Sequence, residues 1–377
     1  MIDRARQLTR REAMSLLGGA AAFGLARPVE TSPLRAVATQ RAVTGASRIQ
    51  FPRGAIIRTL LKDLPPYALA KGPTLFHEHL SYTNDLFAKL GAEAAARTGA
   101  PAPPAATGPH FMEDLDFMAE EVRAAAADGI ACLVDGGHAD MGTSVPFLRR
   151  LSERTGMPIV KGGGYYRQLT YPPKIGTISE DRLVEELVTD ARAERWGAFG
   201  EIGTSDEITP DERKVLRAVG KAHVRTGLPI FSHTQNGKQA MEQLDIFEGV
   251  GVDVRHLVIG HMCCYFDPNP WREIHAAIAK RGAYVGFDRV GNERSEPDVP
   301  RAKMAVTFIE GGHADHALFA SDFSFVGSTK RNGGGGVGRA VTKFVPMLRQ
   351  AGVKEDTLHA ILVDNPRRFL AFVPKKA

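Results

Sequence analysis

The sequence predicts an α/β fold: a distorted (β/α)8 barrel of the TIM type, forming one catalytic domain over residues 70–372. Three observations point there. Short apolar runs alternate with amphipathic stretches, the pattern of a parallel sheet with crossover helices. The units number eight, the count of such a barrel. No glycine-rich dinucleotide fingerprint follows the first strand, so a doubly wound open sheet is the weaker alternative.

The predicted strands span 74–80, 131–137, 158–164, 198–203, 229–234, 256–262, 282–288 and 317–322. Each is a short apolar run. Amphipathic stretches near 113–127, 143–155, 180–195, 211–226, 237–249, 270–281, 300–311 and 338–351 supply the helices. Residues 91–109, rich in Ala and Pro, read as a surface loop between the first strand and the first helix. Residues 326–338, with glycines at 333–336, read as a mobile loop after the eighth strand.

Composition excludes several function classes. The chain has 377 residues, 43% hydrophobic and 24% charged, which is too apolar for disorder. A mean hydropathy of −0.18 and the lack of a long apolar run exclude several membrane spans. Three cysteines, none in a CxxC, exclude a disulfide framework and a cysteine-rich zinc module. The net charge is +5. Six arginines in residues 1–38 (Arg4, Arg6, Arg10, Arg11, Arg27 and Arg35), set against Asp3, Glu12 and Glu30, account for three of those charges. The near-neutral remainder does not suit a phosphate backbone, so no nucleic-acid partner is expected.

Residues 1–38 read as an export address. Arg10-Arg11 precede a short, weakly apolar stretch and then Ala36-Val37-Ala38, the pattern of a cleavable signal. The adjacent arginines suggest the twin-arginine route, which carries folded proteins, so the expected location is periplasmic or secreted. The apolar run is too short for a stable membrane span. Residues 39–69 are a linker and lead-in to the barrel.

Chemistry-bearing residues gather at the C-terminal ends of the predicted strands, where a barrel carries its active site. Strand one ends in His77-Glu78-His79, and alternation sends His77 and His79 to one face. Glu201, His233, His261 and Asp322 stand near the ends of strands four, five, six and eight. Two imidazoles on one inward face can grip a divalent metal, and four with two carboxylates make a strong ligand set. Imidazoles suit transition ions of the zinc type better than magnesium or calcium. His138, just past strand two, reads as a rim residue. Cys263 and Cys264 beside His261 read as small pocket-wall residues, at most one facing the site.

The sequence resembles the phosphotriesterase family of the amidohydrolase superfamily. The matching stretches include 72–80, Phe199-Gly200-Glu201-Ile202-Gly203, Ser232-His233-Thr234, Ile259-Gly260-His261, Gly286-Phe287-Asp288-Arg289, Ser321-Asp322 and 364–370. The resemblance implies two divalent ions, with His77, His79 and Asp322 on the buried one and His233 and His261 on the exposed one. It implies that the strand-four residue bridges them together with a water or hydroxide. Well-known members use a carboxylated lysine there; Glu201 carries the same single negative charge. Lys161, near the end of strand three, is a second carbamate position to consider. Catalytic roles fall to Asp322, as proton acceptor, and Glu201.

Two departures bear on the substrate. Organophosphate-cleaving members relay protons through an Asp and a His, where this chain has Cys264 and Arg289. The Asp288-Arg289 pair resembles the lactonase-like branch, and Tyr166 falls where that branch sets a tyrosine over the exposed metal. Tyr166, Arg289 and Asp288 are therefore expected at the substrate. The expected activity is opening of a lactone or cleavage of another carboxyl ester, with a small-molecule ester as partner. A phosphoester hydrolase is the second reading, and a metal-bound binding protein without turnover the third. The assembly allowed for is a homodimer.

Overall fold

The computed structural model describes residues 49–375 except 100, 102, 103, 105, 265–269 and 292–296. The expected export address and much of the linker lie outside these residues.

A short antiparallel hairpin comes first, β1 (Ile57–Arg58) with β2 (Asp63–Leu64). Eight parallel strands follow: β3 (Thr74–Glu78), β4 (Cys132–Asp135), β5 (Ile159–Lys161), β6 (Phe199–Gly203), β7 (Ile230–His233), β8 (Leu257–Ile259), β9 (Tyr284–Phe287) and β10 (Ala317–Phe319). They pair in sequence order as a run of three, β3 to β5, and a run of five, β6 to β10. Backbone hydrogen bonds bridge both seams. The amides of Gly197 and Gly200 donate to Lys161 O and Gly163 O at 2.9 Å each, and Asp322 N donates to His77 O at 3.2 Å. The eight strands thus form the distorted (β/α)8 barrel.

The interior shows the same closure. One buried cluster takes a residue from or next to every barrel strand: Phe76, Val134, Val160, Ala198, Phe231, Val258, Tyr284 and Leu318. Ile57, Leu64, Phe369 and Leu370 join it, so the hairpin and the C-terminal helix plug the barrel. The alternate residues, among them Leu75, Leu133, Ile159, Phe199 and Ile230, pack outward with the helices.

The main helices fall where the periodicity puts them; the short helices Lys174–Thr177, Glu355–His359 and Asn365–Leu370 and one longer helix lie outside the expected stretches. Residues Asn84–Thr98 form α1, inside a stretch expected in part to be loop. Ala92, Ala94, Ala95 and Ala96 are strong helix formers, and Gly99 at φ 70° ends the helix. The prolines that suggested a loop stand after that end. The following helices are α2 (Leu115–Ala127), α3 (Val145–Thr155), α4 (Glu180–Ala193), α5 (Pro210–Thr226), α6 (Ala240–Gly249), α7 (Trp271–Lys280) and α8 (Asp298–Phe308). Helix α5 has a reciprocal cap between Thr209 and Glu212. Residues 326–338, expected to be mobile, are instead anchored in two short 3-10 turns. Buried Glu121 of α2 accepts from the amides of Lys330 at 3.0 Å and Arg331 at 3.2 Å. No helix among the described residues is long and apolar enough to cross a membrane.

Candidate metal centre

The strand register sets the ligands. Between Leu75 and Glu78 the pairing of β3 with β4 shifts. Phe76 stays in the aromatic interior, 6.3 Å from the Phe231 ring, while His77 and His79 reach the carboxylates above it. Gly136 keeps space beside them: a Cβ there would lie 3.1 Å from His79 and 3.2 Å from His77. Two other predicted residues sit just past their strands in the left-handed region, His261 at φ 57° and Asp322 at φ 48°. Such backbone in residues other than glycine clusters at functional sites.

Four imidazoles converge on one carboxylate. Glu201 lies 3.2 Å from His77 Nε2, 3.4 Å from His79 Nε2, 3.1 Å from His233 Nδ1 and 3.4 Å from His261 Nε2. Asp322 Oδ1 is 3.0 Å from His79 Nε2 and 4.0 Å from His77 Nε2. Three groups of metal-ligating atoms result, each within 4.8 Å: His77, His79 and Asp322; Glu201, His233 and His261; and His77, His261 and Asp288. The third is joined through the Nδ1 atoms that Asp288 holds, on the far side of the rings from Glu201. The first two groups hold the six residues singled out in the sequence as ligands. All are buried except Asp322, whose side chain is 15% exposed.

The donor set fits divalent cations. The Nε2 atoms of His77 and His261 are buried without a hydrogen-bond partner. The opposite ring nitrogens are held by Asp288, His77 Nδ1 at 2.9 Å and His261 Nδ1 at 3.0 Å. A carboxylate on the far side of each ring is the arrangement that orients a metal-binding histidine. Burial opposes charge on His77, yet Glu201 and Asp288 raise it well above its ordinary value, and Asp322 and Glu201 bring His79 up to about 9 against the same penalty. Burial pushes His233 down to about 3, leaving it neutral. Burial also works against charge on Glu201, but His77 and His233 hold it well below the carboxylate range. A divalent cation would take the place of the protons these groups share.

The other expected residues divide. Tyr166, 5% exposed, sets its hydroxyl 3.3 Å from His233 Nδ1, and burial keeps that phenol protonated by raising it above its ordinary value. Arg289 Nε donates to Asp322 Oδ2 at 2.9 Å, with its side chain 25% exposed. Asp288, expected at the substrate, is fully buried behind His77 and His261 and cannot reach one. Its carboxylate serves two imidazoles and the amide of His261, at 2.7 Å. The Lys161 ammonium donates to the carbonyls of Gly137, at 2.6 Å, and Gly162, and belongs to none of the three groups. Cys263 and Cys264 lie in a 3-10 turn rather than on a strand, and Cys264 Sγ accepts from Arg301 at 3.7 Å. All three cysteines are free and buried.

Three contributors escaped the sequence reading. Gln235 Oε1 sits 3.1 Å from His233 Nε2, and the Tyr82 ring lies 4.5 Å from that of His79. Glu78, fully buried, accepts the amides flanking Asp322. Only Glu78 had a visible signal, its place between the two histidines.

A model of the phosphotriesterase family matches residues 65–370. The chain belongs to the phosphotriesterase family. As a member it is a metal-dependent hydrolase acting on ester-type bonds, and the family's metal dependence is binuclear. Among its phosphotriesterase-family relatives is the phosphotriesterase homology protein of Escherichia coli (strain K12), 30% identical over 265 residues, or 68% of this chain and 89% of the relative. The N-acetyltaurine hydrolase of Danio rerio is 27% identical over 278 residues, 69% of this chain and 78% of that one. The crystal structure of a lactonase from Listeria monocytogenes superposes with a TM-score of 0.70 at 26% identity, covering 84% of this chain and 99% of that one.

Proposed function

We propose that this family member opens a lactone or cleaves another carboxyl ester. In this reading His77, His79 and Asp322 hold the inner ion, His233 and His261 hold the outer ion, and Glu201 bridges them. The observation that carries it is Glu201 within 3.1–3.4 Å of four imidazoles from the ends of three other strands. Oε2 faces His77, His233 and His261 and Oε1 faces His79, so Glu201 is the residue that would lie between the two ions.

Two zinc-type ions, when bound, supply an activated water and Lewis acidity toward a carbonyl oxygen. The chain's own residues do the rest. Asp322 accepts the proton of the attacking water. Arg289 holds Asp322 Oδ2 and, by its positive charge, keeps the group ionised until attack. Tyr166 remains a protonated donor beside His233, placed to serve the leaving oxygen. Asp288 fixes the ring orientation of His77 and His261. A lactone or ester passes through a tetrahedral oxyanion and needs no long proton relay, which matches Cys264 and Arg289 standing where other members relay protons.

The test is steady-state kinetics on one metal-loaded preparation. The best lactone or carboxyl ester should exceed an aryl phosphotriester in kcat/KM by at least ~100-fold, the scale of one positioned proton-transfer group. Chelator should abolish both activities. A phosphotriester or phosphodiester turned over faster than every ester tried refutes the reading. A second reading rests on the N-acetyltaurine hydrolases among the relatives and on Arg289, a part-exposed cation beside Asp322 that suits an anionic substrate. An N-acylated amino sulfonate or amino acid cleaved faster than every lactone would favour it.

A further inference from the structure

The middle residue of His77-Glu78-His79 faces away from the four imidazoles, and its surroundings are specific. Glu78 Oε1 accepts from Ser321 N at 2.7 Å, and Oε2 accepts from Phe323 N at 3.0 Å. The amide between them, Asp322 N, donates to His77 O at 3.2 Å. Three consecutive amides are therefore held by two consecutive residues of β3. The carbonyls of this segment are held from the other side. Buried Arg339 sends Nη2 to Ser321 O, lies 3.4 Å from Asp322 O, and sets its guanidinium 5.7 Å from the Phe323 ring. Ala340 N donates to Ser321 Oγ at 3.2 Å.

Between these clamps sits Asp322 at φ 48°, a conformation that residues with a side chain rarely adopt. It persists only where surrounding contacts over-determine it. The conformation sends Oδ1 to His79 at 3.0 Å and Oδ2 to Arg289 at 2.9 Å. A relaxed backbone would swing the carboxylate away from both.

We propose that Glu78 is a positioning residue that holds Asp322 in its left-handed conformation, by accepting the amides on either side of it, and so presents the Asp322 carboxylate to the metal centre. Glu78 touches no substrate and acts only through Asp322. The consequence for metal binding rests on the reading of Asp322 as a ligand; the clamp itself does not.

Glu78→Gln tests it with little change of shape. The amide group keeps one acceptor and turns a donor toward the second N–H. Amide hydrogen exchange is followed in the metal-free protein, and metal affinity by chelator competition. Glu78→Gln should speed exchange at residues 321–323 about 10-fold, as loss of one charge-assisted bond implies. It should also weaken metal binding about 10-fold, in the range for groups that orient ligands. In an Asp322→Asn background the same substitution should cost almost nothing more, because the two act in series. An equal loss in both backgrounds, or unchanged exchange at 321–323, overturns the proposal. Asp322→Asn with undiminished metal binding overturns the ligand reading instead, and the exchange result then decides the clamp. If Glu78→Gln fails to fold, the wild-type metal-free protein still decides: fast exchange at Ser321 and Phe323 would show that no clamp exists.

Discussion

Asp288→Asn should weaken both metal sites at once, and unequally. The carboxylate accepts three hydrogen bonds: Oδ1 takes His261 N at 2.7 Å and His261 Nδ1 at 3.0 Å, and Oδ2 takes His77 Nδ1 at 2.9 Å. Asparagine has one acceptor oxygen. Two of the three bonds lie on the His261 side, so the amide carbonyl settles there and its NH2 faces His77. His77 must then accept through Nδ1, which moves its hydrogen to Nε2, the atom aimed at Glu201. A buried donor opposed or left unpaired costs about 1–3 kcal/mol, or roughly 5- to 150-fold. That agrees with the ~10- to 100-fold typical of groups behind metal ligands. The loss should be larger for the ion held with His77 and smaller, but real, for the ion held with His261, whose imidazole loses its charged partner. Chelator competition with elemental analysis of both equivalents measures this, and circular dichroism checks the fold. Undiminished affinity at both sites, or a loss confined to the His261 side, would refute the reasoning.

Glu201→Ala should lose both ions on elemental analysis and all turnover, wild-type activity should not depend on bicarbonate, and Glu201→Lys with bicarbonate should regain part; full activity in Glu201→Ala removes this residue from the centre. Stability should fall as pH drops from 6.5 toward 4. Burial lowers His223 to about 4, with Nδ1 donating to Leu228 O at 2.7 Å and Nε2 accepting from Asp253 N at 3.2 Å. The unfolded chain binds that proton first, so the contribution is intact above pH 6.5, shrinks by about 3 kcal/mol down to pH 4, and is flat below. Denaturant midpoints at pH 7 and 5 should differ less in His223→Gln, and an equal difference excludes His223 as a source. Arg10→Lys with Arg11→Lys should keep the protein in the cytoplasm on cell fractionation, whereas unchanged export would make residues 1–38 an ordinary signal or none.

The eight strands and the convergence of the six candidate ligands were legible because both depend on local rules. Apolar runs of period two mark the strands, and a barrel places its chemistry at one end of all of them. Helix α1 was missed for a local reason too: alanine-rich and proline-rich composition was read as one loop, although the prolines stand after Gly99. The left-handed backbone at His261 and Asp322 has no local signal, since neither residue is glycine. It is imposed by contacts from distant strands, such as Glu78 on the amides of Ser321 and Phe323.

The role of Asp288 was illegible for a deeper reason. Next to Arg289 at the end of a strand, it has the sequence signature of a substrate contact. Whether such a carboxylate faces the mouth or the back of the imidazoles depends on which strands the barrel brings beside it. Asp288 reaches His77 across 211 positions of sequence, and Glu78 reaches Ser321 across 243. Asp288 follows the seventh barrel strand and Ser321 the eighth, so both contacts depend on closure of the barrel onto its first strand. The acidic residues near the strand ends therefore do different work. Glu201 and Asp322 face the imidazole cluster, while Asp288 holds two of its rings and Glu78 holds the backbone beside Asp322. Closure of the barrel sets these contacts, and for that reason the candidate ligand set can be read along the chain while the residues behind it cannot.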